Sequence, residues 1–576
     1  MMVRFLKRLI VIGTIVFILL VISIYTSFCL GNTGISIEQI SLTTSDGIQL
    51  NAEVYKPTTS SDRLPAIVVC HGIMATHTMM QSYSLEFAKQ GFLVIAIDMR
   101  GHGGSGGSID LGFLFGLMGQ SSSLFSFFIP RNYSSSTIFR SYSTISSLAT
   151  KELRSDVEAA VTYLTGRSDV QPEKIALLGH SMGGLAVIAE AATDPRIRAT
   201  VGVAPAISSG SNITINLTTP QNLLLAVGMR DSVIPEKEVR NVYDKATSGS
   251  GLVGQLYGSF LDGSARELVV SPSSDHVGEM FDRYIIEEAV MWVENSLAIG
   301  KSQPLTISFM PDAILPLSIA SSLLSIFPVV LVADKFTTMM AKKESFQKPK
   351  STKMRARKLL LIYLVGWGCS VLSFLTQRLF HWIPLFMGDM IIVSFMIAPI
   401  VLFLVAFIYN KRSGRLNWDS AKLNKAAFQS FVVGILCFFV VFIGLNMAVS
   451  WNFVNLLPTP RRLLWVTVIF AVLLPFNFLD EVWIRNLQNR LTLRPYLKIG
   501  IVLAISLSIK LLAMTFLFYL FGAFVFLVAA LFVVPSFVSA WLFERTGKIY
   551  GGAVFNSLFI AWVIATILPF ISSPTH

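Results

Sequence analysis

Residues 174–184, Lys-Ile-Ala-Leu-Leu-Gly-His-Ser-Met-Gly-Gly, pass from a short apolar run into Gly-x-Ser-x-Gly and then into a helical pattern. The succession predicts a strand, a sharp turn and a helix, with Ser181 held at the turn in a strained backbone conformation. Gly179 and Gly183 permit such a turn because they have no side chain to strike the neighbouring strand and helix. The Ser181 hydroxyl is then pushed into a cleft, and the N–H of Met182, at the start of the helix, points to where an oxyanion would develop. At ordinary Gly and Ser frequencies a chain of this length meets the motif by chance roughly one time in five. The surrounding pattern therefore has to carry the reading.

That pattern is repeated. Ile35 to Leu42 and Ile48 to Tyr55 alternate with period two around a Ser-Asp-Gly turn, which predicts a β-hairpin. Leu64 to Cys70 reads as a buried parallel strand ending in His71-Gly72, and Phe92 to Ile97 as another ending in Asp98-Met-Arg-Gly-His-Gly103. Helical stretches to Gln90, over Leu153 to Leu164 and to Ala192 alternate with strands near Ala199 to Val203 and Leu223 to Val227. A helix after Pro235, a strand from Glu267 to Val270 and a helix from about Phe281 to Leu297 complete the series. Alternating strands and helices imply a mostly parallel sheet covered on both faces, with ligands at its C-terminal edge.

Over residues 35 to 297 the chain resembles the α/β-hydrolase superfamily, closest to its serine aminopeptidase and dienelactone-hydrolase-like branches. The resemblance rests on His71-Gly72, on Asp98 through Gly103, on Gly179-His-Ser-Met-Gly-Gly184, on Gly228-Met-Arg-Asp-Ser-Val-Ile-Pro235 and on Asp275-His276. A serine hydroxyl is a poor nucleophile until a base removes its proton, and a carboxylate must hold that base in the right tautomer. This fold requires the order Ser, acid, His, which Ser181, Asp231 and His276 satisfy. The resemblance places a second oxyanion donor at the N–H of Ile73. Asp275, adjacent to His276, is expected to be a turn residue, since that spacing rarely lets a carboxylate reach the ring. His71 and His102 are expected to order loops, His180 to pack inside the elbow and His77 to face solvent.

Residues 104–150 form a Ser- and Phe-rich insertion carrying Phe113, Phe115, Phe125, Phe127, Phe128 and Phe139. A loop of this length is a lid with an apolar underside or a poorly ordered surface loop. Sequons at Asn132, Asn212 and Asn216 permit glycosylation.

Hydrophobic residues make up 53% of the 576-residue chain and charged residues only 14%, with a mean hydropathy of +0.63. Much of it must therefore sit in lipid. Arg4, Lys7 and Arg8 precede an uncharged run from Leu9 to about Leu30, long enough for a signal anchor, with a cleaved signal peptide as the rival. Beyond residue 302 eight further apolar spans are expected, at about 312–333, 359–376, 390–409, 427–449, 463–479, 499–518, 521–543 and 553–571. The loop from Lys335 to Lys358 carries nine Lys and Arg residues against Glu344, and that from Lys411 to Lys425 carries five against Asp419. Arg485, Arg490, Arg494 and Lys498 are expected in a third loop. Every second loop is basic, which places those loops in the cytoplasm and the domain at 31–302 outside. The net charge of +12 is thereby explained without nucleic acid.

The membrane part is faintly similar to intramembrane metalloproteases of the CAAX-processing group, through Asp480-Glu481-Val-Trp-Ile-Arg485 and Glu544-Arg-Thr-Gly547 to Asn556. It lacks their metal-binding histidines, having none between His381 and His576. No metal or other cofactor is expected, and Glu481 and Arg485 read as an i, i+4 pair. Lys510 should face the bundle or snorkel.

The expected architecture is thus an anchor at 1–30, an α/β hydrolase at 31–302 and an all-α multi-pass membrane domain at 303–576, in the cell membrane. Its expected activity is hydrolysis of an ester, thioester or amide in a small-molecule, acyl or peptide substrate. The alternatives are an aminopeptidase-like enzyme and an idle binding or sensor module on the membrane bundle. Four scattered cysteines offer the soluble part no internal disulfide.

Overall fold

The computed structural model describes residues 34–58, 63–110, 135–207, 211–300, 354–374, 384–385, 400–401, 403–412, 419–449, 455–518 and 525–572, with Val11 and Ile18. The expected anchor helix, the span at 312–333, most of the Phe-rich insertion and the Asn132 sequon lie outside the described residues. The chain divides into two units. One comprises residues 23–315, 450–455 and 567–576, and the other residues 1–22, 316–449 and 456–566.

In the first unit, β1 (Ile35–Thr43) and β2 (Gln49–Pro57) pair antiparallel across a turn in which Gly47 takes a φ of +83°. β3 (Leu64–Cys70) is buried along its whole length, as a strand with helices over both faces must be. β4 (Leu93–Ile97), β6 (Val170–His180), β7 (Ile197–Val203), β8 (Leu223–Gly228) and β9 (Arg266–Ser271) complete an eight-stranded sheet, with β5 (Ile109–Asp110) outside it. The order is β1-β2-β4-β3-β6-β7-β8-β9, and every pairing from β4 to β9 is parallel. This is an α/β-hydrolase fold. The chain moves outward from β3 to β4 and then returns to β6 on the other side, so the C-terminal ends of β3 and β6 form a switch point.

Helices α1 (Gln81–Lys89) and α5 (Arg283–Ser296) bring Tyr83, Phe87, Ile285, Ala289 and Val293 into one cluster with Ile67, Val69, Val94 and Leu178. Each large side chain so buried contributes about 2 kcal/mol. Ala66 and Val68, which alternate with Ile67 and Val69, are buried too, so the second face is also covered. There α2 (Ser135–Thr165) and α3 (Met182–Ala191) pack on each other and on β3 and β6, and α4 (Glu236–Thr247) packs on β8 and β9. Buried Leu153, Val157, Ala160, Val161 and Leu164 form the inner stripe of α2. That helix begins at Ser135 rather than near Leu153, so the last part of the expected insertion is helical. Residues 571–572 form β10, which runs parallel to β5.

The second unit contains α6 (Ala356–Phe374), α7 (Lys425–Val449), α8 (Pro460–Arg490), α9 (Pro495–Phe518), α10 (Val525–Thr546) and α11 (Tyr550–Ile567). Among the described residues, stretches of α7, α8, α9 and α11 are long and apolar enough to cross a membrane. Thr459 caps α8 and Pro460 occupies its first turn. Two sequence expectations need correction. Arg485, Arg490 and Lys498 are not in a loop, because α8 continues for 31 residues with Arg485 buried against Glu481 at 2.8 Å, and Lys498 is buried in α9 against Glu544 at 2.8 Å. The last span ends at Ile567, since Pro569 disfavours a helical conformation at Leu568 and the chain turns into β10. Lys510 faces the interior, 3.4 Å from Asp480, whose other oxygen accepts the indole N–H of Trp367 at 2.9 Å.

Candidate active site

Ser181 stands between β6 and α3 with φ 53° and ψ −114°, a conformation costly for a residue with a Cβ. The neighbouring glycines show why the turn can exist. A Cβ on Gly179 would lie 2.3 Å from the carbonyl oxygen of Gly183, and one on Gly183 would lie 2.5 Å from that of Cys70. Ser181 N–H is tied to the carbonyl of Val203 at 2.9 Å, which fixes the turn to β7.

Two loops converge on this elbow. After β8, Asp231 accepts the N–H groups of Val233 and Ile234 on Oδ1, at 2.7 and 2.9 Å. After β9, the loop carrying His276 is held by Asp282, the cap of α5, which accepts hydroxyls from Ser271 and Ser274 as well as the N–H of Tyr284. The two loops approach closely at Gly228, where a Cβ would lie 2.3 Å from the Ser274 carbonyl. His276 Nδ1 consequently sits 2.7 Å from Asp231 Oδ2, and its Nε2 3.1 Å from Ser181 Oγ. All three side chains are buried.

Met182 is the first residue of α3, so its N–H has no carbonyl partner within the helix. Ile73 lies in the tight turn after β3 that Ala75 N–H closes on the Gly72 carbonyl. His71 and His102 brace that turn. His71 Nδ1 donates to the Gly72 carbonyl at 2.6 Å while its Nε2 accepts Met99 N–H at 3.0 Å, and His102 Nε2 accepts Met74 N–H at 3.1 Å. Burial lowers the His71 pKa to about 4, which keeps the ring neutral for both bonds. Asp275 acts as a turn residue, accepting Gly278 N–H at 2.8 Å.

His77 does not face solvent. It is buried between Asp98, at 2.8 Å, and Glu53, at 3.4 Å. Burial works against its charge, but the two carboxylates outweigh burial and lift the imidazole to about 10. Burial likewise opposes the charge on Asp98, yet His77 and the N–H of Gly104 hold that carboxyl far below the usual range.

Sequence reasoning also missed Glu279. This carboxyl is fully buried, accepts Gly228 N–H on Oε1 at 2.6 Å, and lies 3.2 Å from His180 Nε2 and 3.9 Å from His276 Nδ1 on Oε2. It also shares a side-chain hydrogen bond with Asp231. Burial and the negative charge of Asp231 push its pKa to about 10. Donor atoms of His180, His276 and Glu279 lie within 4.8 Å of one another. Within this cluster the His276 nitrogen nearest Glu279 is engaged with Asp231, and His180 Nε2 with Glu279 itself.

Residues 50–254 match the dienelactone hydrolase family. The quorum-quenching protein AidA of Acinetobacter baumannii is 24% identical over 191 residues, 33% of this chain and 51% of that protein. An uncharacterized protein of Mycobacterium tuberculosis is 26% identical over 152 residues, 26% of this chain and 40% of that protein. The chain thus spans about half, or less, of the length of these curated relatives. Among solved structures, the α/β hydrolase GrgF of Penicillium sp. shares 16% identity with a TM-score of 0.32, covering 46% of this chain and 99% of that one. A Pyrococcus furiosus esterase shares 17% identity with a TM-score of 0.32, covering 46% of this chain and 93% of its own.

Proposed function

We propose that the α/β-hydrolase domain is a membrane-tethered serine hydrolase that cleaves an ester, thioester or amide through an acyl-enzyme. The observation that carries this reading is the unbroken series from Ser181 Oγ to His276 Nε2, at 3.1 Å, and from His276 Nδ1 to Asp231 Oδ2, at 2.7 Å. Ser181 Oγ attacks the carbonyl carbon as its proton passes to His276 Nε2, and Asp231 stabilises the imidazolium that forms. The N–H groups of Met182 and Ile73 receive the oxyanion. Collapse expels the alcohol, thiol or amine, which takes the proton from His276. Water then gives a proton to His276 as it attacks the acyl carbon, and His276 passes that proton to Ser181 Oγ as the ester bond breaks and the carboxylic acid leaves.

Around Asp231 and His276 in sequence, apolar Met229, Val233 and Val277 are 62%, 40% and 40% exposed, beside the exposed charged residues Arg230 and Asp275. A small-molecule substrate with both an apolar and a polar part suits that mixture.

The domain faces outward in this proposal, on the side opposite the basic loops. The C-terminal strand supports a matching topology. Phe570 N–H donates to the Gly101 carbonyl and Ile109 N–H to that of Phe570, each at 2.9 Å, so residues after α11 belong to the hydrolase unit. Eight spans after residue 302, as the sequence leads one to expect, would return the chain to the side on which it left.

The reading is tested by hydrolysis of a short-chain nitrophenyl ester by the full chain in detergent. Native protein should turn the ester over, and Ser181→Ala and His276→Ala should not. Equal turnover by all three would refute it.

A further inference from the structure

Asp231 Oδ1 is saturated by two backbone N–H groups, and its Oδ2 faces His276. Glu279 lies within side-chain hydrogen-bonding reach of the same carboxylate. It belongs to a short 3-10 turn (Gly278–Met280) that starts two residues after His276, so the loop that presents the imidazole also carries this second acid. The titratable groups around it come from every neighbouring element. They are Asp231 after β8, His276 and Asp275 on its own loop, His180 at the end of β6, His71 after β3 and Tyr83 on α1. Tyr83 donates its hydroxyl to the Glu279 backbone carbonyl at 2.8 Å and pins the turn. Among the described residues no Lys or Arg forms an ion pair with Glu279, whose basic neighbours are His180 at 3.2 Å and His276 at 3.9 Å.

We propose that Glu279 is a positioning residue for the Ser181–His276–Asp231 series, a buried carboxylic acid that donates a hydrogen bond to Asp231 and holds it against His276. This rests on the serine-hydrolase reading. Hydrogen-bond bookkeeping assigns the donor. Glu279 Oε1 accepts from Gly228, which leaves the acid hydrogen to Oε2, the oxygen nearest His180 and His276. Two adjacent carboxyls in a dry site cannot both be ionised, and Asp231 is the one supplied with N–H donors. The carboxyl pKa near 10, raised by burial and by Asp231, agrees with that assignment. His180, kept neutral by burial and by nearby His276, donates its Nε2–H to Glu279 Oε2, leaving the bare Nδ1 lone pair as the unpartnered atom. Glu279 does not touch the substrate carbon. It acts through Asp231, so that the imidazole keeps one orientation.

The test combines two measurements on the full chain in detergent. In the difference infrared spectrum of native protein minus Glu279→Gln at pH 8, the proposal requires the carbonyl band of a protonated carboxylic acid. Carboxylate bands in its place would overturn the proposal whatever the activity. The second measurement is the pH dependence of fluorophosphonate labelling. Glutamine also donates to Asp231, so Glu279→Gln should label within about threefold of native with the acidic limb unmoved. Glu279→Leu should lose roughly tenfold or more, with the limb moved to higher pH because Asp231 then holds the imidazolium more strongly. A limb that moves down by a pH unit or more in Glu279→Gln would mean that native Glu279 is charged, and would overturn the proposal. If native protein fails to label, the hydrolase reading and the positioning role fall together, and the infrared band still decides where the proton resides.

Discussion

The imidazole of His77 lies 2.8 Å from the carboxylate of Asp98, and both side chains are buried beneath the loop that follows β4. Asp98 also accepts the backbone N–H groups of His77 and Gly104 and the amide of Asn51. One buried ion pair thus joins β2, the turn before α1 and the 98–106 loop, which in turn supports His102 and the turn containing Ile73.

Stability should fall as pH rises through the alkaline range. Folding raises the His77 pKa from 6.5 to about 10, so the folded state holds a proton that the unfolded state releases. The stabilisation is complete below pH 6.5 and disappears as pH passes 10, a change on the order of a few kcal/mol. Asp98, held below its ordinary value of 3.8, works in the opposite direction and loses its contribution in acid. Thermal melts across pH 5 to 10 should show a decline above pH 6.5 that His77→Gln flattens. An unchanged slope in the variant would refute the assignment.

Alanine at Gly179 or Gly183 should damage the elbow directly. The added carbon would meet backbone at 2.3 or 2.5 Å, which no rotamer can relieve. A loss of about 2–4 kcal/mol is expected, together with loss of ester hydrolysis. Chemical denaturation of each variant measures the first effect. A neutral result would mean that the turn is built differently.

Asp231→Asn should leave the fold intact and remove most of the activity. The amide still accepts N–H groups on one atom, but it cannot hold the Nδ1–H tautomer of His276 as a carboxylate does. Turnover should drop roughly 10³- to 10⁴-fold while the melting profile changes little. Parallel kinetics and melts separate this from unfolding.

In the membrane unit, Lys510→Ala should expose the cost of an unpaired Asp480, about 3–5 kcal/mol. Adding Asp480→Asn should recover part of it, since the amide oxygen still accepts from Trp367. Melting in detergent of the single and double variants measures the recovery. Additive losses would show that the two groups are not coupled.

The proposed outward placement can be tested together with β10, which makes the C-terminal residues part of the hydrolase unit. A cysteine introduced at exposed Asn212 and a tag fused after residue 576 should both be accessible from outside intact cells, and a cysteine replacing Lys343 should not. Opposite accessibility of the first two would break the pairing of Ile571 with Ile109 as a native feature.

The sheet was legible because its strands are short apolar runs bounded by turn residues, and β3 was read to the residue. Ser181, Asp231 and His276 were legible because their contexts recur in the required order. Glu279 was not, since one acid three residues after a histidine resembles any helix-face residue. Only the 3-10 turn and the closeness of the β8 loop reveal where it points. His77 escaped for a related reason, as its partners lie 21 residues ahead and 24 behind. Arg485 was misplaced because a polar helix end inside a bundle has the composition of a loop, and its burial depends on Glu481 and Ser539.

The most direct test of the central claim is to treat the native chain with a fluorophosphonate and map the adduct by peptide mass. The account predicts one covalent adduct, on the peptide and residue of Ser181, absent from His276→Ala. An adduct on another residue, or a folded native chain that stays unmodified, would contradict it.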